Sequence, residues 1–197
     1  KPNSVTVEEF AFMEKPRHYA VYIGRLSQEK GIMPLLRASL KVSSFPLHVV
    51  GDGPMEEDVR HFIATHTATH ITMHGRLAPE ECTKILQHAR VCVCPSTCYE
   101  NCPLSVINAV YLGVPVIASD TGGLPDFVPE GEAGWLVPPG DETALTERLH
   151  TIAHYPETAD TLRKKARSFG QAYFSSEKNY KALLSAYDDA IKARRMS

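Results

Sequence analysis

The chain has 197 residues, of which 43% are hydrophobic and 22% charged, an ordinary globular composition with enough length for one substantial core. Its net charge of −2 excludes a generic nucleic-acid partner and leaves room for a local basic site that takes a phosphorylated small molecule. No apolar run approaches the roughly 20 residues of a membrane span, and we read no secretory signal. The opening at Lys1, without Met, leads us to expect a piece of something longer.

Residues 1–16 carry little periodicity and read as a lead-in segment. Tyr19 to Ile23 is the first predicted strand. A polar loop, Gly24 to Gly31, leads to a helix over Ile32 to Val42, with Ile32, Leu35, Leu36 and Leu40 on one side and Pro34 tolerated in the first turn. Leu47 to Val50 is a second strand, ended by Gly51–Asp52–Gly53–Pro54 and followed by a helix from Met55 to Ala64. Ile71 to His74 is a third strand. After Gly75–Arg76–Leu77, a Pro-started helix covers Pro79 to His88. Val91 to Cys94 reads as a buried strand. Beyond it, Pro103 is placed to open a helix, where its missing N–H costs nothing. Val114 to Ala118 is a short apolar run of the kind buried in parallel sheets.

Past Gly123 the pattern predicts a short strand over Ala133 to Val137 and a turn at Pro138–Pro139–Gly140. Asp141 is a candidate N-cap for a helix to about His154. Pro156 restarts a helix that reaches Phe169, and Ser175 and Ser176 are candidate caps for a last helix to about Arg194. We expect a Rossmann-like region over 17–174 and a separate C-terminal helix over 175–197. The alternation of strands and helices argues for an α/β doubly wound parallel sheet, covered on both faces by helices with right-handed crossovers.

Loops that follow parallel strands lie along one sheet edge, where doubly wound folds bind ligands. The first carries Arg25 and Lys30 around a Gly-flanked turn. Two cations beside backbone amides suit a pyrophosphate; a solvated basic loop is the alternative. The second has only a G-x-G, and Glu56 stands where a dinucleotide fingerprint wants a third small residue, so a nicotinamide cofactor is disfavoured. Gly51 and Gly53 then serve a tight turn. Glu100, between Tyr99 and Asn101 ahead of the Pro103 helix, could accept hydrogen bonds from sugar hydroxyls or be a solvated loop acid. The helix start offers free amides and partial positive charge, which suit phosphate. Gly122 and Gly123 read as turn glycines or as points of close backbone approach.

Five cysteines is an odd count. Cys92 and Cys94 alternate on a strand and should share a face. With Cys82, Cys98 and Cys102 they read as reduced core and loop thiols; a zinc site is the rival, against which stands the lack of a paired C-x2-C spacing. His66, His70 and His74 fall on turn and strand, whereas His150 and His154 could share a helix face. Surface and packing roles are preferred over metal binding for all of them.

Taken together, Gly24–Arg25–Leu26 with Lys30–Gly31, Gly51–Asp52–Gly53–Pro54, Gly75, Pro95–Ser96, Glu100, Pro115–Val116 and Gly122–Gly123 resemble the carboxyl-terminal, nucleotide-sugar-binding half of GT-B retaining glycosyltransferases. The similarity is strongest to glycosyltransferase family 4, also called glycosyl transferases group 1, and covers nearly the whole chain. It implies that Arg25 and Lys30 bind the donor diphosphate and that Glu100 contacts the transferred sugar; these three are the expected catalytic residues. Asn101, Cys102, Pro103, Leu104 and Ser105 would hold sugar and phosphate oxygens through the backbone, with Gly24 and Gly51 at the first two turns. Gly75, Arg76 and Leu77 would border the base.

The resemblance implies no metal and no cofactor beyond the nucleotide sugar itself, linked to UDP or GDP, as co-substrate. Its partner would be a missing amino-terminal acceptor domain, and through it a peripheral membrane contact; the expected location is the cytoplasm, at the inner face of a membrane. The last helix, with Tyr180, Leu183, Leu184, Tyr187 and Ile191, would cross towards that domain.

Two departures matter. The family's second Glu, which holds the ribose, is here Asn108, an amide without charge-assisted strength. Asn-Cys-Pro-Leu replaces the commoner Gly-Phe-Gly-Leu after Glu100, and Pro103 removes one backbone donor. The expected function is donor binding in a hexosyl transfer, with the fragment inactive alone. The alternatives are a non-catalytic nucleotide-sugar-binding subunit and a GT-B-fold UDP-sugar epimerase.

Overall fold

Six parallel strands form one sheet in the order β3-β2-β1-β4-β5-β6 in the computed structural model, which describes residues 18–174 and nine helical residues between 180 and 194. The strands are β1 (Ala20–Ile23), β2 (Leu47–Val50), β3 (Ile71–Gly75), β4 (Val91–Cys94), β5 (Val116–Ser119) and β6 (Gly134–Val137). Ala20 sits between Leu47 of β2 and Val91 of β4, so β1 and β4 are the central pair. β4 and β5 are buried at every position, as continuous apolar runs in a two-sided sheet must be.

Within residues 18–174, seven helices cover the two faces: α1 (Ile32–Leu40), α2 (Glu56–Thr65), α3 (Pro79–His88), α4 (Leu104–Leu112), α5 (Leu124–Phe127), α6 (Glu142–His154) and α7 (Glu157–Tyr173). One core joins α1, α2 and α6 to strand residues such as Tyr22, Val49, Val93 and Ile117. The opposite core joins α3, α4 and α5 to Val21, Val50, Cys92, Cys94 and Val116. α7 contributes to both, through Ala159 and Leu162 on one side and Ala166 on the other. α4 buries five of its nine residues, as α1 does on the other face.

The predicted alternation holds, with shifts at the ends. α1 stops at Leu40 because Lys41 and Val42 bond back three residues, to Ala38 and Ser39, in a tightened turn. β5 starts at Val116, not Val114: the Val114 amide is tied to Ala109 of α4, and Pro115 has no N–H for a ladder. β6 starts one residue later than expected, at Gly134, and α7 runs past Phe169 to Tyr173. The one-turn helix α5 was not anticipated in the sequence. Asp141 caps α6 as expected, accepting from the Ala144 amide at 3.0 Å.

Cys92 and Cys94 do share a face, and all five cysteines are free thiols. His150 and His154 stack on α6, with ring centroids 4.0 Å apart. The lead-in segment 1–16 and the caps Ser175 and Ser176 lie outside the described residues. Tyr180, Leu183, Leu184, Tyr187 and Ile191 are helical and exposed. Among the described residues no helix is long and apolar enough to cross a membrane.

Candidate functional site

The chain leaves β1 towards β2 on one side and leaves β4 towards β5 on the other. Their following loops therefore part, and a crevice opens between them at the carboxyl ends of the central strands. Residues 24–31 form one wall and residues 95–103 the other.

The first wall is braced from below. Gly24 donates to the Val50 carbonyl at 3.0 Å, Leu26 to the Asp52 carbonyl at 2.7 Å, and Met55 to the Leu26 carbonyl at 2.9 Å. A Cβ on Gly51 would lie 1.9 Å from the Gly24 carbonyl oxygen. The G-x-G of the second loop thus lets that loop pack on the first. Gln28–Lys30 then form a 3-10 turn, with Ser27 Oγ donating to Glu29 Oε1 at 2.6 Å.

The two walls are joined backbone to backbone. Gly31 follows the 3-10 turn at φ 70°, and a Cβ there would meet the Pro95 carbonyl oxygen at 1.9 Å. Only glycine permits both the left-handed turn and this approach. Thr97 donates its amide to the Glu29 carbonyl at 2.8 Å. This junction carries Lys30 across to the second wall, where its Nζ donates to Glu100 Oε1 at 2.6 Å.

Glu100 is 8% exposed and its geometry is constrained from three directions. Ser96, fully inside the protein, donates its hydroxyl to the same Oε1 at 2.6 Å. The Glu100 carbonyl accepts from the Gly123 amide at 2.7 Å. Oε2 accepts no hydrogen bond among the described residues. Burial opposes the charge of Lys30, but its hydrogen bond to Glu100 and that carboxylate's charge outweigh it and raise the ammonium pKa. Burial is the first cause of the high phenol pKa of Tyr22, whose hydroxyl donates to the Arg25 carbonyl at 2.7 Å.

A cavity of about 360 Å³ opens over this pair. Tyr22, Ile23, Gly24, Arg25 and Lys30 line it from β1 and the loop after it, and Val93, Cys94, Ser96, Glu100, Pro103, Leu104 and Ser105 from β4, the loop after it and the start of α4. α4 begins at Leu104 behind Pro103, with no side-chain cap. The Val106 and Ile107 amides both turn back to the Pro103 carbonyl, whereas Leu104 and Ser105, at the first two helical positions, have no carbonyl in the helix to bond. The cavity therefore combines the exposed cation Arg25, an ammonium–carboxylate pair and an uncapped helix start. That set can hold an anion next to a hydroxyl-rich group. Burial pushes the Cys94 thiol up to about 11, so Cys94 is a neutral part of the wall at ordinary pH.

Seven expected contact residues stand outside this wall: Gly51, Gly75, Arg76, Leu77, Asn101, Cys102 and Asn108. Gly51 backs Gly24, and its amide donates to the Gly75 carbonyl at 2.8 Å. Arg76 is exposed and lies 3.9 Å from Asp52. Asn108 is half-buried on the second turn of α4. Residue-by-residue reading gave no role to Ser96, Cys94 or Tyr22 in the site. For Ser96 the signals were its place in the Pro95–Ser96 motif and its spacing, four residues before Glu100 in the same loop. His48 Nδ1 and His74 Nε2 approach to 3.0 Å away from this cavity, and no group of three or more potential metal ligands occurs among the described residues.

Residues 8–169 match the family described as glycosyl transferases group 1. The chain is 32% identical over 163 residues to the sulfoquinovosyl transferase SQD2 of Arabidopsis thaliana, covering 81% of this chain and 31% of that one. It is 34% identical over 178 residues to the putative teichuronic acid biosynthesis glycosyltransferase TuaC of Bacillus subtilis, covering 88% of this chain and 42% of that one. Among solved structures, sucrose-phosphate synthase from Thermosynechococcus elongatus superposes with a TM-score of 0.81 at 32% identity, over 91% of this chain and 46% of that one. Anabaena HepE, solved with UDP and glucose, has the same fold at a TM-score of 0.78 and 19% identity, over 87% of this chain and 48% of that one. The chain spans less than half the length of each of these four proteins. A doubly wound sheet matching GT-B glycosyltransferases, together with a family match over most of its length, establishes that this chain belongs to the glycosyl transferases group 1 family.

Proposed function

We propose that this chain is the donor-binding domain of a retaining glycosyltransferase of family 4, which moves a hexosyl unit from a nucleoside diphosphate sugar to an acceptor hydroxyl. The observation that carries this reading is the 2.6 Å contact between Lys30 and Glu100 in the crevice between β1 and β4, beside Arg25 and the start of α4. A structural relative supports the same reading: Anabaena HepE was solved with UDP and glucose and with UDP-glucose.

In this reading the diphosphate lies between Arg25 and the amides of Leu104 and Ser105, with Lys30 bridging it to Glu100. The free Oε2 of Glu100 accepts from a sugar hydroxyl. The acceptor oxygen forms a bond to the anomeric carbon, the bond from that carbon to the β-phosphate oxygen breaks, and its electron pair leaves with the nucleoside diphosphate. The acceptor's proton passes to the departing phosphate. Arg25, Lys30 and the helix start act by stabilising the charge that grows on that leaving group. Gly75–Leu77 borders the base, and Asn108 meets the ribose. The acceptor site belongs to a further, amino-terminal domain, so the chain alone binds donor and transfers little.

One specific residue favours a second reading. An amide at Asn108, where the family resemblance expects a carboxylate, suits a nucleotide-sugar-binding subunit without turnover. Calorimetric titration of the chain with UDP, GDP, UDP-glucose and GDP-mannose tests donor binding. Turnover by the longer protein separates an enzyme from a sensor. Absence of binding to all four ligands would refute the donor-domain reading.

A further inference from the structure

The loop after β5 approaches the site from behind without lining the cavity. Gly122 has φ +59°, and a Cβ there would lie 2.6 Å from the Glu100 amide nitrogen, 2.7 Å from its carbonyl oxygen and 3.2 Å from the Tyr99 Cα. All three are backbone atoms, so no side-chain rotation relieves the contact. Gly123 adds the 2.7 Å hydrogen bond from its amide to the Glu100 carbonyl. A Cβ on Gly123 would touch the carbonyl oxygens of Asn101 and Glu100 at 3.1 and 3.2 Å. The peptide of Glu100 therefore rests directly on a two-glycine platform.

The side chain of Glu100 is as tightly set as its backbone. Its Oε1 takes two hydrogen bonds of 2.6 Å, from a lysine on one loop and a serine on another. A shift of several tenths of an ångström in the peptide that bears them lengthens and misaligns both bonds and weakens the charge-assisted contact. A buried carboxylate held this way has its direction determined by whatever holds its backbone.

We infer that Gly122 and Gly123 are positioning residues for Glu100: they set the depth of its peptide so that Lys30 and Ser96 converge on one oxygen and the other stays available for a sugar hydroxyl. The sugar half of this inference rests on the proposed donor site; the Lys30–Glu100 half does not. Specificity for the sugar is thus controlled from the β5–α5 loop, which does not line the cavity.

The test uses Gly122→Ala, Gly123→Ala and Gly131→Ala. Gly131 has a comparable φ of +71° but nothing within 4 Å of a Cβ, so it reproduces the backbone strain without the displacement. The first readout needs no ligand: the ammonium 1H–15N signal of Lys30, slow to exchange when held by Glu100, persists in wild type and Gly131→Ala and disappears in Gly122→Ala. The second is the ratio of affinities for UDP-glucose over UDP, or GDP-mannose over GDP, by calorimetry. It falls about tenfold or more in Gly122→Ala, with free nucleotide affinity kept, as small misplacements of a binding group do.

Far-UV circular dichroism checks folding. If Gly122→Ala unfolds, Gly123→Ala, with an ordinary φ and milder contacts, carries the same readouts. A Lys30 signal unchanged in the folded Gly122 or Gly123 variant overturns the positioning role. A normal Lys30 response with no wild-type preference for sugar nucleotides overturns the sugar half of the inference and leaves the platform standing. An equal loss in Gly131→Ala assigns the effect to strain and also overturns the proposal.

Discussion

Lys30 and Glu100, seventy positions apart in the chain, share a 2.6 Å ion pair whose carboxylate is almost fully enclosed. Neither element could bring them together alone. The 3-10 turn that presents Lys30 is attached to the Pro95–Thr97 backbone, and the peptide of Glu100 is seated on Gly122 and Gly123. An ammonium has three donors, so Lys30 can serve Glu100 and a phosphate at once.

Arg25→Ala and Lys30→Ala should each weaken nucleoside diphosphate binding, by about 1–3 kcal/mol for a charge-assisted contact. Only Lys30→Ala should also disturb sugar recognition, because it leaves Glu100 without its cation. Calorimetry with UDP and GDP measures the first effect and UDP-glucose the second. Unchanged affinity in both variants would remove the phosphate assignment.

Glu100→Ala should spare free nucleotide and impair binding of the sugar nucleotide. Equal losses for both ligands would contradict a sugar contact at this carboxylate. The comparison is made at one pH with the same protein preparation.

Ser96→Ala should destabilise the fold by about 1–3 kcal/mol, the cost of withdrawing a partner from a buried charged group. Urea unfolding reads this directly. A change below the error of the midpoint would mean that Lys30 alone suffices to hold Oε1.

High pH should selectively remove the contribution of the ion pair. Burial opposes the charge of Lys30, its bond to Glu100 outweighs burial, and the folded-state pKa is raised. A raised lysine stabilises the fold fully below its unfolded value of about 10.4, and that contribution fades as pH rises through the folded value. The stability gap between wild type and Lys30→Met should therefore be constant near neutrality and narrow above about pH 10.4. A gap that instead widens with pH would contradict the sign.

Asn108→Glu tests the ribose contact. If the second turn of α4 meets the ribose, a carboxylate there should tighten nucleotide binding relative to wild type. Affinity that is unchanged or weaker would place the ribose elsewhere.

Much of this fold could be read from residue order. Strands as short as Val91–Cys94 and Val116–Ser119 are apolar runs with no polar alternation, which only a sheet covered on both faces tolerates. Pro79 and Asp141 marked helix starts through the physics of the first turn. The start of β5 was misplaced at Val114 because its amide closes the end of α4 on the Ala109 carbonyl, around the left-handed Gly113, a helix cap that the apolar run conceals. Arg25, Lys30 and Glu100 were recognisable as chemistry because they sit in loops that follow strands, and that placement is a local property.

Alternation of apolar strands with amphipathic helices determined the layered sheet, since each segment can bury its face in only one kind of partner. What only the tertiary structure decided is which groups touch. The switch in strand order between β1 and β4 set two distant loops face to face, and close approaches at Gly31 and Gly122 turned that proximity into hydrogen-bond contact. Such approaches depend on backbone atoms from separate parts of the chain occupying adjacent space, which no local pattern of side chains encodes.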